Sequence, residues 1–468
     1  MTLALLVVVP LLASLLSLLL PRSGGAIGAL ALGLDLALAG RLAAQVSVAG
    51  ELRHALGGWG SPLGITLVGD GLAAILVGVS ALTVAVLSLH ASRYFPPDAR
   101  RRFWPLWLLF ATALNALFLA GDLFNLYVAL ELLGLSAVSL AAFGGASPAL
   151  SAALRYLLAS LAGSLAYLLG VAFVYRAAGT LDLAALAGHG AALAGGEVAF
   201  ALLATGLLLK GAVFPLHFWL PPAHASATAP VSAALSALAV KAPLYLLLRL
   251  WLETFGGSWP AVATLFAVVG GAGVLWCSCQ ALLQTRAKRL VAYSTVAQLG
   301  YLLLALALVP ALGDAAYGAF LLLLLAHALA KAGLFLAVGN LVRRAGHDRI
   351  DAFDRVAHHM PVTTAAIALS GVSLMGLPPS GGFNGKWMLL EASLAADRWL
   401  PVFVLLAGGL LAALYVFKLI EHTFSDGEPA PAVAQPARLE WTALLLSLGA
   451  IALGFFGPPL LALLGAAP

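Results

Sequence analysis

Residues 206–250 read GLLLKGAVFPLHFWLPPAHASATAPVSAALSALAVKAPLYLLLRL. Lys210 and Lys241 stand inside apolar sequence with helical character, and Pro215, His217, Pro221 and His224 interrupt the helix between them. A soluble protein would place such a break in a surface loop. Here apolar residues flank it on both sides, so the freed backbone groups and the two ammonium groups must be satisfied inside the fold.

The whole chain shares that apolar background. Of its 468 residues, 62% are hydrophobic and 9% are charged, which places it in the membrane class. The apolar runs are Leu- and Ala-rich and long enough for helices of roughly 20 residues, one of the two spanning solutions that satisfy the backbone internally. Residues 2–20 lack a basic segment before them and Arg22 follows them, so the reading is a retained first helix. Cys277 and Cys279, the two cysteines, are two apart on a predicted helix and fall short of any iron–sulfur or zinc set. No flavin, nicotinamide or haem pattern appears. The segment PPSGGFNGK, 378–386, lacks the spacing and the preceding strand of a nucleotide loop. The expectation is therefore a transporter with no cofactor, no metal and no nucleic-acid partner.

Fourteen spans are expected, near 2–20, 25–44, 71–92, 104–120, 122–143, 151–175, 197–222, 225–252, 260–281, 288–309, 314–341, 362–395, 400–420 and 441–464, with a hairpin over 50–70 outside the bilayer. The fold class is all-α and polytopic. With both termini outside, fifteen of the 24 Lys and Arg lie on the inner side, Lys288, Arg355 and Arg438 among them. Five lie outside, including Arg53 and Arg249. That bias on alternate loops sets the orientation.

The four cations left inside the spans are all lysine: Lys210, Lys241, Lys331 and Lys386. Guanidinium stays charged at any physiological pH, whereas an ammonium removed from water can take and release a proton. Glu131 lies mid-helix and calls for a buried cation as partner. His327 and Lys331 are four apart, hence on one helix face. A second break lies at GLPPSGGFNGK, where Pro378 and Pro379 end one half-helix and Lys386 opens the next. Lys210 precedes its break and Lys386 follows its own, the mirrored order that an inverted repeat leaves. The competing reading of these ionisable residues is a set of buried ion pairs that only fix helix register. His217 and His224 read equally well as spacers for freed backbone, and Asp35 as an interhelical or interfacial group.

Three motifs, PLHFWLPPAHASATAPVSAALSALAVKAPLYLLLRL, GDLFNLYVALELLGLSA and GLPPSGGFNGKWMLL, make the chain resemble a known family. These are the antiporter-like subunits of Mrp-type sodium/proton antiporters (closest to their D-type member), respiratory complex I and membrane-bound hydrogenases. The resemblance covers about residues 65–420. It implies one membrane domain: three peripheral helices with an outer hairpin over 1–103, inverted five-helix repeats over 104–252 and 260–420, and a last helix over 441–464. It also implies discontinuous seventh and twelfth spans and a charged row in which Glu131 pairs with Lys210, followed by Lys241, His327, Lys331 and Lys386. The function implied is proton translocation, with sodium as a candidate exchanged ion, beside other membrane subunits in a bacterial inner membrane. Such a subunit has no redox site of its own even where its complex is a quinone oxidoreductase or hydrogenase. Two alternatives stay open on sequence: a proton-driven subunit for inorganic-carbon uptake, and a stand-alone carrier of an organic solute.

Overall fold

The computed structural model describes residues 1–60, 64–353, 356–424 and 436–463; Arg355, assigned above to the inner side, and residue 464 of the expected last span lie outside them. The helices are α1 Thr2–Leu19, α2 Gly24–Ala49, α3 Gly71–Tyr94, α4 Pro97–Leu119, α5 Leu123–Ala141 and α6 Ser147–Ala178. They continue with α7 Gly196–Lys210, α8 Leu220–Ser226, α9 Ala229–Thr254, α10 Pro260–Leu282, α11 Ala287–Leu312 and α12 Asp314–Ala345. The last four are α13 Pro361–Met375, α14 Gly381–Ala395, α15 Trp399–Glu421 and α16 Ala437–Ala462. Twelve described helices are long and apolar enough to cross a membrane. The remaining apolar helices come as two interrupted pairs, α7 with α8 and α13 with α14.

The chain is thus an all-α, multi-pass membrane protein. Its α9 and α12 are surrounded by other helices along their whole apolar windows, while α1, α2, α10 and α16 turn much of their surface outward. Exposed Leu residues run along α1 and α6, and exposed Leu and Phe along α15, an apolar outer surface of the kind that lipid or a neighbouring apolar helix can cover. Between α2 and α3, β1 Leu52–Ala55 pairs antiparallel with β2 Thr66–Gly69, Leu52 opposite Gly69, which is the expected hairpin.

Small residues let the helices that carry the lysines approach closely. A Cβ on Gly163 of α6 would stand 2.9 Å from the Gly206 carbonyl of α7, and one on Gly206 would stand 2.5 Å from the Gly163 carbonyl. Gly270 of α10 and Gly300 of α11 make the same reciprocal contact at 2.7 and 2.6 Å. In lipid such backbone-to-backbone packing stands in for the hydrophobic effect that drives helix association in water.

Two cations assigned by side are partnered inside the fold. Lys288 is 8% exposed, and its Nζ donates to the Ala227 carbonyl at the C-terminal end of α8. Arg249 lies between Asp70 and Glu253. One reading changes. Lys386 does not open α14, which starts at Gly381 with Ser380 as its cap; it sits one and a half turns in.

Candidate functional site

Both helix breaks leave backbone carbonyls without intrahelical partners, and side chains fill them. At the first, α7 stops at Lys210, and the Trp219 indole donates to the Leu209 carbonyl at 3.0 Å while stacking on Tyr156 at 4.0 Å between centroids. Pro215, in a cis bond after Phe214, lies within the turn. At the second, where Pro378 and Pro379 are joined by a cis bond, the Lys386 Nζ reaches back to the Leu374 and Met375 carbonyls at 2.8 and 3.2 Å. Lys386 thus places positive charge at the negative end of α13.

A third break was not expected. Within α9 the helix widens to π-turns over Leu235–Ala239, and the Val240 N–H turns to the Leu235 carbonyl. The Ser236 carbonyl, its regular partner, instead accepts from the Lys241 Nζ. One residue of local underwinding has no signature in composition, so nothing in ALSALAVKAPLY announced it.

Of the four lysines assigned to the spans, Lys210 is the one with a carboxylate partner among the described residues. Its Nζ stands 2.9 Å from Glu131 Oε1 and 3.0 Å from Ser160 Oγ, and Ser164 Oγ donates to the same Glu131 oxygen. Gly134 and Gly163 leave room for the lysine stem. Among the described residues, Lys241, Lys331 and Lys386 have no carboxylate within 4.0 Å. Lys331, on α12 and fully buried, donates to Ser294 Oγ and to the Val291 carbonyl at 3.2 Å.

The two histidine-rich positions separate. His327 and His224 are both buried, and neither ring nitrogen of either has a hydrogen-bond partner among the described residues. His224 stacks on Phe335 at 4.7 Å between centroids, and its ring nitrogens bond no backbone carbonyl among the described residues. His217 faces elsewhere, beside Phe214 and 3.9 Å from Cys277 Sγ. Asp35 is interhelical, 2% exposed and bonded to Asn115 at 2.8 Å, and it belongs to the α1–α2–α4 layer away from the row.

Sequence reasoning also missed a polar stripe on α11. Ser294 meets Lys331; Thr295 Oγ1 meets Ser236 Oγ at 2.9 Å; Gln298 Nε2 donates to the same Leu374 carbonyl that holds Lys386; and the Tyr301 ring lies 4.4 Å from the Lys386 Nζ. The spacing 294, 295, 298, 301 in STVAQLGY is one helix face, and that polar periodicity in an apolar span was the available signal. The stripe meets Lys331 directly, Lys241 through Ser236, and Lys386 through the Leu374 carbonyl and the Tyr301 ring, so one helix face touches the surroundings of three of the four buried lysines.

Comparison with known proteins gives consistent relatives. The family model described as NADH:quinone oxidoreductase/Mrp antiporter, TM, matches residues 120–412. The N subunit of NADH-quinone oxidoreductase from Desulforudis audaxviator is 38% identical over 437 residues, covering 88% of this chain and 86% of that one. The D subunit of the Na(+)/H(+) antiporter from Alkalihalophilus pseudofirmus is 29% identical over 373 residues, covering 79% of this chain and 75% of that one. A chain of the Mrp complex from a Dietzia species superposes with a TM-score of 0.93 at 28% identity, covering 100% of this chain and 96% of that chain.

Proposed function

Because the chain belongs to the family of membrane subunits shared by NADH:quinone oxidoreductases and Mrp antiporters, we propose that it moves protons along its buried row as one subunit of a multisubunit membrane complex. The observation that carries this reading is the asymmetry of the row. Glu131 and Lys210 form a closed ion pair, while Lys241, Lys331 and Lys386 rest on carbonyls and hydroxyls that accept a hydrogen bond from either the ammonium or the amine. A purely structural set of cations would carry matching carboxylates, because unpaired buried charge is costly.

Glu131 and Lys210 act as the charge gate. When the pair is closed, Lys210 is neutralised locally; when it opens, the uncompensated ammonium repels a proton on the next lysine. Two unit charges ~7 Å apart interact by roughly 2 kcal/mol at an effective dielectric near 20, more than one pKa unit. Lys241, His327 with Lys331, and Lys386 then take the proton in order, the α11 hydroxyls bridging between them. Counting each interrupted pair as one crossing gives fourteen crossings, with 104–252 and 260–420 as inverted repeats and 1–103 as a peripheral layer. In this reading the chain lies in a bacterial inner membrane with both termini outside. Other membrane subunits flank it, as in the complexes of its relatives, and sodium exchange remains an outcome of experiment.

The test is acidification of inverted vesicles carrying the whole assembly, followed with a pH-sensitive dye, for wild type and Lys331→Ala. Loss of acidification with normal assembly supports the reading. Wild-type acidification by Lys331→Ala overturns it.

A further inference from the structure

A cavity of about 570 Å³ opens on the face that carries Met1 and the β1–β2 hairpin. Its rim is charged: Arg249 bonds Glu253 at 2.7 Å and Asp70 at 2.6 Å, with Arg53 and Glu51 nearby. Its floor is Tyr245 and Phe118. A second, smaller cavity of about 10 Å³ lies beyond that floor, against Lys241 and Ser80, and Tyr245 and Phe118 wall it too. Its size is that of a single water molecule. One aromatic layer therefore divides a wide charged vestibule from a one-water chamber at the central lysine.

The wall is a hydrogen-bonded one. The Tyr245 hydroxyl donates to the Phe118 carbonyl and accepts from Arg249 Nε, both at 3.1 Å. Lys241, Tyr245, Arg249 and Glu253 recur every four residues on α9, so they stack on one face, about 6 Å of rise apart. A titratable or hydroxyl group at each step, from the protein centre to the charged rim, is more than a helix needs in order to pack. Across from this ladder, Ser80 comes from α3 and Tyr317 from α12.

We infer that the vestibule is an aqueous access site for protons to Lys241 from the Met1 face, and that the Tyr245 side chain, latched by Arg249 and the Phe118 carbonyl, is the gate between them. The ligand is water and its excess proton. Asp70 and Glu253 bias the vestibule toward cations, and Arg249 ties the gate to their charge. Release of the Tyr245 latch frees the hydroxyl from the Phe118 carbonyl, so that it accepts an excess proton from a vestibule water and passes its own proton to a water in the chamber. This inference rests on the reading of Lys241 as a proton carrier and gives that carrier its own opening to one face.

The test uses the whole assembly in vesicles, with Cys277 and Cys279 replaced by Ser and Ser80→Cys as the reporter in the chamber. A membrane-impermeant, positively charged methanethiosulfonate is added to either face. The inference predicts slow reaction with Tyr245 present and at least tenfold faster reaction in Tyr245→Ala, from the Met1 face only. It also predicts that Tyr245→Phe assembles normally and translocates several-fold more slowly. An unchanged rate in Tyr245→Ala, or faster reaction from the opposite face, overturns the vestibule. Wild-type translocation by Tyr245→Phe removes the hydroxyl from the route. Lys241→Ala, assayed beside them, separates the two ideas: normal translocation there sinks the lysine reading, whereas loss there with Ser80→Cys no faster in the Tyr245→Ala background sinks the vestibule alone.

Discussion

Removing the carboxylate of Glu131 is the sharpest perturbation of the row, because that group is the partner of Lys210. At 2.9 Å the pair attracts by roughly 6 kcal/mol at an effective dielectric near 20. Truncating one partner of a buried pair typically costs about 3–5 kcal/mol, because the other charge is left buried without a partner. Glu131→Gln keeps the shape and an acceptor oxygen, leaving Ser160 and the amide to hold the Lys210 ammonium. Glu131→Asp draws the charge back by about 1.5 Å, which keeps roughly two-thirds of the attraction by the same Coulomb estimate. Proton uptake per assembled complex should therefore rank wild type, then Asp, then Gln, with Gln down at least tenfold and Asp several-fold. The assay is dye quenching in inverted vesicles, normalised to assembled complex by native gel. Full-rate translocation by an assembled Glu131→Gln complex would refute the role of the pair.

Other outcomes follow from particular contacts. Gly163→Ala drives a methyl to 2.9 Å from the Gly206 carbonyl and 3.1 Å from the Lys210 Cγ; it should destabilise by about 1–3 kcal/mol and slow translocation. Gly170→Ala, crowded by Leu203 and Ala199 farther along the same interface, should lower thermal stability comparably and leave the rate per folded complex unchanged. Ser294→Ala and Thr295→Val remove hydroxyls that meet Lys331 and Ser236; translocation should fall several-fold with melting temperature nearly constant, and equal rates would remove α11 from the route. Asp70, outside the spans, is opposed by burial but held below the usual carboxylate range by the Arg249 guanidinium and the Ala73 N–H. Its depressed value means the stabilisation is present above the unfolded value near 3.9 and is lost as pH falls through the folded one. Asp70→Asn, still a good helix cap, should melt lower than wild type at pH 7, and the gap should close below about pH 4.

Much of the architecture was legible because lipid imposes few solutions. Apolar length announces a helix, and a Pro-rich interruption flanked by lysine announces a broken one. That Glu131 needs a buried cation was likewise readable, since a mid-span carboxylate requires one, while the choice of Lys210 among the four lysines came from the family resemblance. Lys288 escaped because it sits between Arg286 and Arg289, in sequence that reads as a helix end facing water; its burial comes from α8 ending over it. The π-turn at Lys241 escaped because an inserted residue shifts hydrogen bonds without changing composition. His327 and Lys331 do share a face, yet they do not bond each other: Lys331 turns to α11, a choice set by tertiary packing. The polar stripe of α11 was visible in spacing, but hydroxyls and amides in a span draw less notice than charges.

The measurement that bears most directly on the lysine row is pH-gradient dissipation in inverted vesicles carrying the whole assembly, comparing wild type with Lys241→Ala and Lys386→Ala, with and without sodium. If the row carries the proton, both variants assemble and lose translocation, and a sodium requirement in the wild type would identify exchange against sodium. If both variants assemble and translocate at the wild-type rate, the buried lysines are structural, and the proton takes another path.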